Sequence, residues 1–62
     1  MSLRKLDLRG IDLRGANLMH ANIRDCSLQG ANLRGVNLHL ATVKNSRLTA
    51  CDLRGASLSG VD

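Results

Sequence analysis

Two sets of basic residues hold the most evident chemical potential of this 62-residue chain. Arg14, Arg34 and Arg54 recur every twenty residues, and so do Arg4, Arg24 and Lys44. If residues twenty apart stack on one another, six of the nine cationic side chains form two ladders. A guanidinium presents a planar fork of donors that fits carboxylate or phosphate oxygens, so either ladder is a candidate surface for an anion or a partner. Asp12, Asn32 and Asp52 run beside the first ladder, and there Asp and Arg partly neutralise one another on a solvated face. Like charges one strand spacing apart repel by only about 1 kcal/mol in water, and less with salt, so neither ladder requires a ligand in order to exist. Nucleic acid is disfavoured. Single-strand binders stack bases on aromatic rings, and the chain has no Phe, Trp or Tyr. No recognition helix is expected, so non-specific, salt-dependent binding is the most that charge alone allows.

Other reactive side chains are sparse. His20 and His39 should be neighbours near Met19, because position 19 lies beneath position 39 in a twenty-residue stack. Two imidazoles without a third ligand make a poor zinc site, and no metal is expected. Cys26 and Cys51 fall twenty-five residues apart at inward positions, where a thiol behaves as a small hydrophobe rather than a disulfide partner. No Ser–His–Asp arrangement is implied, and no phosphate-cradling glycine loop is present. Asp12 and Asp52, the carboxylates that share a column, lie two coils apart. The chain reads as a non-enzyme without a cofactor.

What positions these columns is a period of five. Leu3, Leu8, Leu13, Leu18, Ile23, Leu28, Leu33, Leu38, Val43, Leu48, Leu53 and Leu58 are aliphatic without exception, and each is the centre of a unit. Two residues before each centre lies a second small or apolar residue, from Met1 and Leu6 through Ala31 and Val36 to Val61; only Ser46 among them carries a hydroxyl. A polar residue separates the two. Apolar–polar–apolar is the alternation of a strand with one buried face. The next inward residue then comes three positions later, so the chain must turn a corner every five residues. A helix would rotate the centre by about 140° per step and form no stripe.

Glycine marks the corners. Gly10, Gly15, Gly30, Gly35, Gly55 and Gly60 all lie two residues after a centre, where a type II turn needs positive φ. The equivalent residues elsewhere are Lys5, His20, Asp25, Leu40, Asn45 and Ala50. Leu40 resists a left-handed backbone, so the non-glycine corners are expected to use a different turn. In order, the corners run other, Gly, Gly, other, and ten of twelve obey this block of four. Four corners per cycle give twenty residues per coil and a right angle at each corner. The fold class is therefore all-β, a square solenoid of about three coils of four pentapeptides, spaced by about 4.8 Å.

The units Ala16-Asn17-Leu18, Ala31-Asn32-Leu33-Arg34-Gly35 and Cys51-Asp52-Leu53-Arg54-Gly55 resemble the A(D/N)LXX signature of pentapeptide-repeat proteins, and the resemblance covers essentially the whole chain. It implies a right-handed quadrilateral β-helix. Many members carry Phe at the centre; this chain has only aliphatics there, so its core is expected to be narrower. Some bacterial members are similar to duplex DNA in shape and acidity and bind DNA gyrase, a role that does not carry over to basic columns. A weaker likeness joins residues 41–56 to the repeat tail of BTB adaptor proteins of the potassium-channel-tetramerisation-domain family. That likeness implies a recognition arm of a cullin-based ubiquitin-ligase adaptor.

Net charge of +4 argues against a polyanion mimic. No apolar run reaches the length of a membrane span, and none resembles a signal peptide. Two thiols are too few for a disulfide-built mini-protein, which favours a reducing, intracellular, cytoplasmic setting. Residues 1–62 read as a single repeat domain. Val61-Asp62 opens a thirteenth unit without its centre, so a segment of a longer repeat domain is expected, or an end-to-end homo-oligomer. The expected role is a structural or protein–protein interaction scaffold with a protein partner, the alternative being an electrostatic binder of nucleic acid or another polyanion.

Overall fold

Each apolar–polar–apolar triplet forms an extended segment, and in three places it lengthens into a strand: β1 (Ser2–Arg4), β2 (Asn22–Arg24) and β3 (Thr42–Lys44). The computed structural model describes all 62 residues, and its regular structure is entirely extended segments and turns. The strands pair in parallel in the order β1-β2-β3, with Leu3 opposite Ile23 and Ile23 opposite Val43. Three further columns are joined by single parallel bridges. They run Asp7–Ser27–Arg47, Asp12–Asn32–Asp52 and Asn17–Asn37–Ser57. Every pairing joins residues twenty apart, so the chain winds as a β-helix and residues at the same phase stack.

The corners differ from expectation in one respect. All twelve corner residues have positive φ, including Leu40 at 58°, His20 at 61° and Ala50 at 60°. At these three the turn is the same as at the glycines. Ala21 N–H donates to Leu18 O at 3.0 Å, Ala41 N–H to Leu38 O at 2.9 Å and Cys51 N–H to Leu48 O at 3.2 Å, as in a type II turn. The expected different turn is thus corrected at His20, Leu40 and Ala50. The neighbouring coil dictates the path: Leu40 N–H donates to Ser59 O at 2.9 Å and His20 N–H to His39 O at 2.9 Å. A left-handed residue costs about 1–2 kcal/mol, and leaving the ladder would forfeit these bonds as well. Lys5, Asp25 and Asn45 do form a distinct corner. There no i to i+3 bond closes the turn, and the strands that precede it extend to three residues.

The buried core lies within residues 18–41, where Ala21, Val36 and Ala41 are fully enclosed and Ile23, Leu28 and Leu33 nearly so. The core is not simply narrower for its lack of rings, as expected. It surrounds an axial cavity of about 210 Å³ lined by all twelve centres together with Val61. Coil size is set by backbone corners and ladder bonds, so a shorter central side chain leaves space on the axis.

Candidate interaction surface

Outward side chains inherit their columns from the ladder. Arg4, Arg24 and Lys44 are register partners at the ends of β1, β2 and β3, beside the polar column Ser2, Asn22 and Thr42. Arg14, Arg34 and Arg54 also stack, since Gly15 N–H donates to Arg34 O and Gly35 N–H to Arg54 O. Both sequence-predicted ladders therefore exist, and their chemistry differs.

The Arg14 column is occupied by its own acids. Arg14 Nε and Nη2 donate to the two carboxylate oxygens of Asp12 at 2.9 and 2.8 Å. Arg54 grips Asp52 in the same fork, at 2.9 and 2.7 Å. Arg34, between them, donates to Asn32 Oδ1 at 3.2 Å and approaches Asp52 at 3.7 Å. The backbone N–H of Arg14 and of Arg54 adds a further bond to each carboxylate. Side-chain bonding to Arg, then this backbone donor, lowers Asp12 and Asp52 to about 2. Asp7 is held at about 2 in the same way by Arg9, a pair that the sequence reading missed. Its signal was an Asp two residues before an Arg across a corner, the spacing already visible at Asp12 and Asp52.

The Arg4 column faces no acid. Arg24 Nε donates to neutral Asn22 Oδ1 at 2.8 Å, and no carboxylate lies in salt-bridge reach of Arg4, Arg24 or Lys44. Around the Lys5 corner the column adjoins a shallow polar concavity of about 440 Å³ that includes Lys5, Asp25, Gln29 and Arg47. Gln29 Oε1 is buried there without a hydrogen-bond donor from the chain.

The remaining candidates are structural. Cys26 is buried and Cys51 half-buried, both free thiols. Cys51 Sγ donates to Leu28 O at 2.8 Å. His20 and His39 are neighbours, as the stack requires, with ring centroids 6.3 Å apart and edge to face. No three His, Cys, Asp or Glu side chains converge as metal ligands. No helix is long and apolar enough to cross a membrane.

A family model described as pentapeptide repeats matches residues 2–39 and 37–62, with eight copies. Among solved structures, a pentapeptide repeat protein (Rfr23) from the cyanobacterium Cyanothece 51142 is 32% identical, with a TM-score of 0.51, over 98% of this chain and 43% of that one. A pentapeptide repeat protein from Nostoc Pcc 7120 is 31% identical over 89% of this chain and 54% of its own, with a TM-score of 0.40. The chain thus spans roughly half the length of these solved relatives or less. No curated protein sequence matches it.

Proposed function

The chain belongs to the pentapeptide-repeat family, whose members are generally non-enzymatic repeat scaffolds, and on that premise we propose that it is a protein-interaction rod whose contact face is the β1–β3 sheet. The finer reading of its shape is a right-handed quadrilateral helix of about three coils, and of its chemistry, that it catalyses nothing.

The observation that carries the proposal is the unequal neutralisation of the two ladders. Three guanidiniums at Arg14, Arg34 and Arg54 share two carboxylates, whereas Arg4, Arg24 and Lys44 share none. A partner that docked on the first ladder would have to compete with bidentate intramolecular pairs. A carboxylate that approached the second would displace only water and Asn22. Fixed strand spacing also presents the three cations as a regular row on a flat backbone, which lowers the ordering cost of binding. The partner is an extended acidic segment of another protein. The narrower role of a ubiquitin-ligase adaptor arm rests on the likeness of residues 41–56 alone.

A second reading, a polyanion binder, draws on the same charge row. Duplex DNA contacted by three cations should show a salt slope of roughly −2.7. The test compares an oligoglutamate peptide with a short DNA duplex at two salt concentrations, using two triple variants. Serine at Arg4, Arg24 and Lys44 should abolish peptide binding, and serine at Arg14, Arg34 and Arg54 should leave it within a few-fold. Equal loss in both would reject the face assignment. Tighter binding to DNA than to peptide would favour the second reading.

A further inference from the structure

The axial cavity offers a different kind of site, unrelated to the charged faces. Its lining comprises thirteen residues, all aliphatic, from Leu3 at one end of the chain to Val61 at the other. No polar atom contributes to its surface. Burial within the middle of the chain is graded in an informative way. Ala21, Val36 and Ala41, which sit against the coil wall, are 0% exposed, whereas the centres Leu18 and Leu38, which point at the axis, keep 6%. That residual exposure belongs to side chains that line the cavity.

We propose that this lumen binds a small neutral apolar molecule, a hydrocarbon without a charged or hydrogen-bonding group. The volume exceeds the roughly 150 Å³ of an aliphatic protein cavity that stays dry and takes up benzene or xenon. A water would need two to four polar partners, and the lining provides none. A charged head group would lose its hydration without compensation, so the site discriminates by polarity before size. A hydrocarbon gains dispersion contacts with centres that otherwise face one another across a gap.

Xenon is the first probe, applied under pressure to protein with labelled Ile, Leu and Val methyls. Resonances of Ile23, Leu28, Leu33 and Leu38 should move together and saturate, while exposed Leu6 and Leu40, outside the lining, should not. Shifts spread evenly over exposed methyls without saturation would overturn the proposal, as would water-to-methyl cross-relaxation at Ile23 and Leu28. Leu33→Phe places a ring on the axis and should abolish the saturable shift; an undiminished shift in a folded variant contradicts the site. The second measurement needs no variant. Benzene should raise the thermal midpoint of the natural chain and benzoate should leave it unchanged. A rise with both, or with neither, rejects an apolar lumen site.

Discussion

Cys26 N–H donates to Ser46 Oγ at 3.1 Å, twenty residues further along the chain, and the same hydroxyl donates to Lys44 O at 3.1 Å. Position 46 is the one inward site with a hydroxyl, and the open corner explains it. After Ile23 no type II bond forms, so the Cys26 N–H has no Ile23 carbonyl to meet. Ser46 takes its place. In the coil below, Cys26 Sγ performs half the task and donates to Leu3 O at 3.2 Å.

Ser46→Ala should therefore destabilise the fold by about 1 kcal/mol, the cost of one unsatisfied half-buried donor. Ser46→Cys should recover part of the loss. Urea unfolding of both, beside the outward control Ser27→Ala at near-zero change, checks the assignment.

Corner strain gives a second prediction. Ala50 has φ of 60° in a column that has glycine at Gly10 and Gly30. Ala50→Gly should stabilise by roughly 0.5–1 kcal/mol, since relief of the left-handed penalty exceeds the added entropy of the unfolded chain. Gly30→Ala should do the reverse. A Cβ at Gly30 would meet nothing within 4 Å, so any loss there reports φ alone. The two unfolding midpoints should move in opposite directions.

Filling the axis should also stabilise. Leu33→Phe is expected to gain roughly 0.5–2 kcal/mol, the usual range for cavity filling, as read by thermal or urea unfolding. A loss of similar size would indicate that the neighbouring leucines already close the space.

Acid should weaken the fold in a defined window. Asp7, Asp12 and Asp52 have folded values near 2 against 3.8 for the free side chain. A depressed value means that their contribution is complete above pH 3.8 and disappears as pH falls through about 2. Midpoints should be flat from neutral pH to about 5, then decline toward pH 2. Arg54→Gln should raise the Asp52 titration toward its ordinary value and leave Asp7 in place, which carbon-detected NMR can follow.

Much of this was legible because the five-residue period never slips. The order of glycine and non-glycine corners revealed the twenty-residue stack, and with it the Arg4 and Arg14 columns and the His20–His39 contact. Leu40 was not legible, since residue preference opposed a conformation that Ser59 and Leu38 impose through the ladder. Nor was the inequality of the two ladders. Arg14 and Arg24 each follow a polar residue by two positions, but Asp12 supplies a charged fork and Asn22 a single neutral oxygen. The sequence displayed the lack of rings, yet only coil geometry tells whether such a core shrinks or stays open.

The most direct test of the contact face is amide shift mapping with an oligoglutamate peptide at low salt. Perturbations should concentrate at residues 2–5, 22–25 and 42–45, with Arg14, Arg34 and Arg54 little changed. A footprint centred on those three arginines, or one spread evenly over all faces, would contradict it.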